Sequence, residues 1–238
     1  MRFLVTAGNT RELIDRVRAW SNIFSGNTGY AIATSLAELG EVELLTSNAA
    51  HVKEAGSLQL KHQISATQFT SHDELRGLLA TRVMQKKYDA IFMTAAVADY
   101  KPLASYSVIE RTEMGGGTEH WIVQNVSAGK VKSAYREIAF LGTQTEKLID
   151  LFRRVWKYEG LLVKFKLEVG LTDDELLEVA RKSRAASDAN YIVANTLEMV
   201  QGEEPGAYLV SPTFHEWIAR SDLPARLAKL VREQLTAG

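Results

Sequence analysis

Short, densely apolar runs alternate along the chain with longer stretches in which apolar residues recur every three or four positions. The runs Phe3–Ala7, Val42–Thr46, Gln63–Thr67, Ala90–Ala98, Leu161–Leu167 and Asn190–Asn195 predict strands. Several are continuous rather than alternating, the pattern of strands buried on both faces. A helix over Gly29–Leu39 stops at Gly40. Ser71-His-Asp-Glu74, Thr143-Gln-Thr-Glu146 and Thr172-Asp-Asp-Glu175 have capping-box spacing, in which a hydroxyl and a carboxylate reciprocally satisfy the first N–H groups of a helix. After Thr143, Leu148, Ile149, Phe152 and Val155 fall on one helical face. A last helix opens at Asp222 with Pro224 just inside, and turns Leu227, Leu230, Val231 and Leu235 inward. Strands alternating with helices argue for an α/β fold, a Rossmann-like, doubly wound and mostly parallel sheet.

One stretch breaks this rhythm. Tyr100 to Leu141 has no long helical period and offers two strand-like pieces, Ser105–Thr112 and Glu119–Val126. The link Glu113-Met-Gly-Gly-Gly-Thr118 suits a hairpin tip. The expectation is a single domain over 1–238 with a projecting β-hairpin arm inserted at about 100–141.

Composition narrows the chemistry by exclusion. With 28 basic and 29 acidic residues the net charge is −1, which argues against nucleic acid and membrane surfaces as partners. No apolar run approaches the roughly 20 residues of a spanning helix, and the start MRFLVTAGNT lacks a signal-peptide layout. A reducing cytoplasm is the expected compartment. The absence of cysteine excludes disulfides, a thiol nucleophile and cysteine-ligated metal centres. The five histidines, at 51, 62, 72, 120 and 215, have no metal-binding spacing. There is no P-loop, no GxGxxG after the first strand, no Tyr-x-x-x-Lys and no GxSxG.

In open α/β sheets ligands bind beyond the carboxyl ends of the strands. The first strand runs into Thr6-Ala-Gly8-Asn-Thr10, where small residues let backbone N–H groups approach an anion; Arg11, Arg16 and Arg18 follow. The Ser-, Asn- and Gly-rich segment from Trp20 to Gly29 leads into the next helix, whose start suits an anion. The fourth strand runs out through Thr94-Ala-Ala-Val-Ala-Asp99, placing a carboxylate where it suits magnesium or a hydroxyl. The sixth ends at Asn195. Each piece is equally compatible with a plain polar turn. Lys164 and Lys166 share one face of their strand and read as a surface pair.

Taken in order, the pieces resemble the phosphopantothenoylcysteine synthetase family, the ligase half of bifunctional coenzyme A biosynthesis flavoproteins. The carrying residues are Val5-Thr-Ala-Gly8, Thr10-Arg-Glu12, Ile14-Asp15, Val17-Arg18, Ser21-Asn22, Ser25-Gly26, Gly29-Tyr-Ala31, Ala95-Ala-Val-Ala-Asp-Tyr100, Lys130-Val-Lys-Ser133, Phe165-Lys-Leu-Glu168 and Val193-Ala-Asn195. The resemblance implies a ligase that joins 4′-phosphopantothenate and L-cysteine through an acyl-nucleotide, with CTP or ATP as co-substrate and Mg²⁺ as cofactor. It implies Asn22, Lys130 and Arg18 as catalytic residues. Gly8, Thr10, Ala96, Asp99, Phe165 and Asn195 would bind nucleotide and phosphate, and Asp99 the metal. The arm resembles the family's dimerisation region and implies a homodimer whose site borrows from the partner. The flavin decarboxylase half has no counterpart in 238 residues, so no flavin is expected. The chain departs from the pattern at Phe24-Ser-Gly-Asn27, where many members have Ser-Ser-Gly-Lys, and at Ser183 and Ser187, where bacterial members commonly carry lysines. These departures give the alternative assignment, a catalytically weak nucleotide-binding or scaffold homologue.

Overall fold

The computed structural model describes residues 1–57 and 63–236. Six parallel strands build the body: β1 (Arg2–Ala7), β4 (Glu41–Thr46), β5 (Ile64–Gln68), β6 (Ala90–Met93), β10 (Leu161–Glu168) and β11 (Tyr191–Thr196). The antiparallel hairpin β12 (Gly206–Val210) and β13 (His215–Ala219) extends one edge, giving the order β13-β12-β11-β10-β6-β1-β4-β5. The chain leaves β1 toward β4 and β5, then returns to lay β6 on the other flank of β1. That reversal leaves a crevice at the carboxyl ends of β1 and β6.

Phe3, Val5 and Ala7 of β1 face one helical layer, where Ile32 and Leu36 of α1 (Asn27–Ala37) meet Leu227, Leu230 and Val231 of α7 (Leu223–Thr236). Leu4 faces the other, packed with Leu75 and Leu79 of α3 (His72–Gln85) and Leu148 and Phe152 of α4 (Leu148–Arg154). Leu176, Leu177 and Ala180 of α5 (Asp173–Ala186) cover Ile192, Ala194 and Val210. Apolar residues on both faces of β1 explain its continuous run. Among the described residues, two short helices complete the set, α2 (Ala49–Ser57) and α6 (Leu197–Gln201). The expected doubly wound, mostly parallel sheet is what forms.

Capping boxes form at Ser71, whose Oγ accepts from Glu74 N at 3.2 Å, and at Thr172, whose Oγ1 accepts from Glu175 N at 3.4 Å. The expected box at Thr143 does not form. Thr143 pairs with Lys101 inside a strand, and α4 begins only after Lys147 with no side-chain cap. The strand expected over Ala90–Ala98 ends at Met93, because the residues beyond it leave the ladder to bond the end of β1. Ala95 N donates to Thr6 Oγ1 at 3.1 Å and Ala96 N to Gly8 O at 2.9 Å.

The arm is a separate antiparallel sheet, β8-β7-β9, of β7 (Tyr100–Gly115), β8 (Thr118–Asn125) and β9 (Ile138–Gln144). It has three strands rather than two, since β9 returns along the root of β7. A smaller hairpin, β2 (Arg11–Leu13) with β3 (Ala19–Ser21), stands beside it, and Trp20 meets Phe140 edge-on at 6.3 Å between ring centroids.

Candidate functional site

Three glycines bring the backbone together at the switch point. A Cβ on Gly26 would lie 2.1 Å from Gly8 N, and one on Gly29 would lie 2.2 Å from Thr94 Oγ1. Gly8 and Gly26 have φ of 86° and 84°, a region glycine enters at little cost. The seam thus reads Gly8, then Gly26-x-x-Gly29, with residues 9–25 looped out as the β2–β3 excursion. The close approach is split in sequence, which is why a contiguous glycine fingerprint is missing. Gly26 caps α1 with no side-chain bond, so the first N–H groups of that helix remain for a ligand or water.

A cleft of about 220 Å³ opens over this seam, lined by Gly8, Asn27, Thr28, Ala96, Phe165, Lys166, Val193, Asn195 and Arg220 among others. Four of the residues expected to bind nucleotide, Gly8, Ala96, Phe165 and Asn195, therefore share one cavity. Phe165 and Asn195 are half-buried there, from adjacent parallel strands in which Phe165 registers with Val193 and Leu167 with Asn195. Asn22 joins them at the rim, donating from Nδ2 to Ala96 O at 3.1 Å, which leaves its Oδ1 available. Asn9 organises this rim, with Nδ2 donating to Asn22 O at 2.7 Å and Phe24 O at 2.9 Å.

The other expected residues stand further out. Thr10 is fully buried: its N–H donates to Ala96 O at 3.2 Å and its Oγ1 accepts from Ala98 N at 2.8 Å, so it stitches the two loops instead of lining the cavity. Arg18 is spent on Asp15, at 3.0 Å from Nε and 2.6 Å from Nη2, and on Val131 O at 2.6 Å. Burial disfavours the Asp15 carboxylate, but the Arg18 guanidinium and the amides of Val131, Val17 and Arg18 outweigh it and hold the carboxyl well below the usual range. Lys130 lies exposed beside this knot, on the segment following β8, and does not line the cleft. Asp99 is exposed where the chain enters β7, its carbonyl accepting from Thr145 N at 2.9 Å.

No group of three or more His, Asp or Glu side chains able to hold a metal occurs among the described residues. A dedicated protein cage is thus absent there, whereas a Mg²⁺ borne on phosphates needs only one or two protein carboxylates. Asp99 is a single exposed carboxylate and is not among the residues lining the cleft. His62 lies outside the described residues.

Sequence reading missed Asn9 and Arg220, which carry no local motif; Arg220 reaches the cleft because its N–H ties to Pro205 O at 2.8 Å across the β12–β13 hairpin. It also misread Lys164. That residue is 8 % exposed, not on the surface, and its Nζ donates to Ser183 O and Oγ, both at 3.0 Å, and to Ser187 Oγ at 3.1 Å. Burial brings its pKa down to about 8.

Known proteins share this architecture. The family model of the DNA/pantothenate metabolism flavoprotein C-terminal domain matches residues 1–112. The coenzyme A biosynthesis bifunctional protein CoaBC of Thermococcus kodakarensis is 31 % identical over 220 residues, 92 % of this chain and 47 % of that protein. The chain spans about half the length of the curated relatives it matches. The crystal structure of the DNA/pantothenate metabolism flavoprotein from Streptococcus pneumoniae superposes with a TM-score of 0.77 at 27 % identity, covering 100 % of this chain and 99 % of that one. The C-terminal domain of a CoaBC protein shares the fold, with a TM-score of 0.66 at 23 % identity over 100 % and 96 % of the two chains. By fold and by these relatives, the chain is a homologue of the C-terminal half of the bifunctional coenzyme A biosynthesis proteins CoaBC.

Proposed function

We propose that this chain joins 4′-phosphopantothenate to L-cysteine through an amide, driven by CTP or ATP, as a step of coenzyme A biosynthesis. The observation that carries the reading is the meeting of the glycine seam, Phe165 and Asn195 in one switch-point cleft with Asn22 at its rim. The substrate carboxylate attacks the α-phosphorus of the nucleotide, forming an acyl-nucleotide and releasing pyrophosphate. The cysteine amine then attacks the acyl carbon; the bond to the nucleotide oxygen breaks, the nucleoside monophosphate leaves and the nitrogen loses a proton. Such chemistry asks for oriented donors and positive charge rather than a nucleophile, in keeping with the side chains present.

In this reading Phe165 and Asn195 hold the nucleoside, and the backbone at Gly8 and Ala96 approaches the phosphates, with Thr10 fixing that backbone from behind. Asn22 bonds the acyl-nucleotide. Arg18 keeps the Asp15 turn in shape, and Lys130 supplies charge during activation, to its own cleft or to that of a second copy. Mg²⁺ on the phosphates would offset their charge, with Asp99 as its protein ligand. The exposed apolar residues of the arm support a homodimer.

The test is pyrophosphate release by the purified chain with phosphopantothenate, cysteine, Mg²⁺ and either nucleotide. Release with one of them is expected, and the comparison assigns the base. None with either, from folded protein, overturns the proposal.

A further inference from the structure

Behind the first turn of α1, His51 of α2 is buried and stacked on Tyr30, with 4.5 Å between ring centroids and 8° between planes. Its Nδ1 lies 3.3 Å from Thr46 Oγ1; its Nε2 lies 3.2 Å from Asn27 Oδ1 and 3.3 Å from Asn48 Nδ2. Counting donors and acceptors places the protons. Thr46 is fully buried at the end of β4, and its Oγ1 already accepts from Asn48 N at 3.1 Å. Among the described residues, the remaining acceptor for its hydroxyl proton is His51 Nδ1, which must then be the bare nitrogen.

Burial pushes the His51 pKa down, against an opposing pull from Glu54, so the ring is neutral and Nε2 carries its single N–H. Asn48 cannot take that proton. Its Nδ2 donates to Ser25 O at 3.2 Å while its Oδ1 accepts from Ala50 N at 3.0 Å, which fixes its amide with nitrogen toward the ring. Its 3.3 Å approach to a protonated Nε2 is then a donor–donor contact, set against the buried Thr46 hydroxyl that the other tautomer would leave without an acceptor. The acceptor is therefore Asn27 Oδ1. With that oxygen held from behind, the –NH₂ of Asn27, a residue lining the cleft, is left without a partner among the described residues.

We propose that His51 is a positioning residue: as its Nε2–H tautomer it holds Asn27 Oδ1 and aims the Asn27 –NH₂ at the phosphate chain of a nucleoside triphosphate in the cleft. The inference rests on the reading that the cleft takes such a nucleotide. Thr46 sets the tautomer, His51 sets the amide, and Asn27 touches the ligand.

Two measurements test it separately from that reading. In ¹⁵N-labelled protein at pH 7, long-range ¹H–¹⁵N spectra are expected to show His51 as the neutral Nε2–H tautomer. The Nδ1–H tautomer or an imidazolium overturns the proposal whatever the cleft binds. ATP and CTP are then titrated into wild type, His51→Phe (which keeps a ring against Tyr30), Asn27→Ala and the double variant. Each single variant is expected to bind roughly tenfold more weakly, and the double variant no worse than either. Unchanged binding by His51→Phe, or additive losses, overturns the positioning role. Wild type that shows the expected tautomer but binds neither nucleotide overturns the nucleotide assignment, and the positioning role falls with it.

Discussion

The Val131 N–H donates to Asp15 Oδ2 at 3.1 Å across 116 positions of chain. Arg18 closes the loop by bonding both that carboxylate and Val131 O, and Arg16 N donates to Gly129 O at 3.0 Å. The turn after β2 thus grips the backbone on both sides of Lys130, and the charge stabilisation proposed for that lysine asks for such a fixed base.

Asp15→Asn keeps the shape of this knot and removes its charge. Faster amide exchange at Val131 and a roughly tenfold fall in pyrophosphate release are expected, with little change in nucleotide KM. The pH dependence has a definite sign. The folded-state pKa of Asp15 is lowered, so its stabilisation is complete above the unfolded carboxylate value of about 3.9 and is lost as pH falls below it. Protection of Val131 should therefore stay flat through neutral pH and collapse in acid. Wild-type exchange and turnover in Asp15→Asn would remove Asp15 from the account.

Gly26→Ala tests the split glycine seam. The new Cβ would meet Gly8 N at 2.1 Å, in a left-handed backbone conformation that alanine adopts at a cost. Strain and overpacking together predict about 2–4 kcal/mol of lost stability in urea unfolding. Nucleotide binding should fall further than stability, because Gly8 and the start of α1 are forced apart. Gly56→Ala, with nothing within 4 Å of its Cβ, is the control and should leave binding unchanged.

Phe165→Ala removes the aromatic wall of the cleft. Base–aromatic stacking is worth about 1–3 kcal/mol, so nucleotide KM should rise roughly five- to hundredfold with kcat far less affected. Equal losses for ATP and CTP would mark Phe165 as a general platform. A kcat-only effect would place the nucleoside elsewhere.

These tests lean on features of unequal visibility in the sequence. Continuous apolar runs such as Phe3–Ala7 and Leu161–Leu167 were legible because burial on both faces demands them, and Ser71 and Thr172 announced helix starts through local spacing. Thr143 has the same spacing and failed, since pairing with Lys101 is a long-range fact that no local pattern carries. Gly8 and Gly26 were visible individually, but only folding shows their backbones in contact. Phe165, Asn195 and Asn22 were singled out through the order of motifs rather than through chemistry of their own, and folding brings the first two into one cleft and the third to Ala96 O beside it. Asn9 and Arg220 act through backbone partners in other loops, and sequence holds no sign of these.

Lys164 is the plainest case of hidden context. Its ammonium sits among serine oxygens, and burial brings its pKa to about 8 from 10.5, with Asp150 opposing and Lys166 and Lys147 adding to the shift. The folded state thus holds this proton less tightly than the unfolded chain. Keeping the charge costs on the order of 3 kcal/mol at pH 7, a cost relieved as pH rises from 8 to 10.5. Ser187 Oγ also donates to Ser183 O at 3.2 Å, so removing the amine leaves the buried Ser187 hydroxyl proton bonded. Lys164→Met should be as stable as wild type at pH 7 or more so, with its relative stability declining toward pH 10. A stability difference that does not vary with pH between 7 and 10 would show that the charge is not the governing term.

The arm yields the last prediction. Every residue of β8 is exposed, and Ile109, Met114, Trp121 and Ile122 present apolar surface on a ribbon remote from the core. Trp121 and Val123 alternate onto one face, where Arg111 lies 5.9 Å from the Trp121 ring. A second copy of the chain is the proposed cover for that face. Trp121→Glu with Val123→Glu should convert a sedimenting dimer to a monomer and leave the thermal transition of the main sheet unchanged, because neither side chain touches either core layer. If Lys130 serves the partner's cleft, the monomer should also lose turnover while retaining nucleotide binding through Phe165 and Asn195. Wild type that sediments as a monomer, or a monomeric variant with full turnover, would refute the shared site.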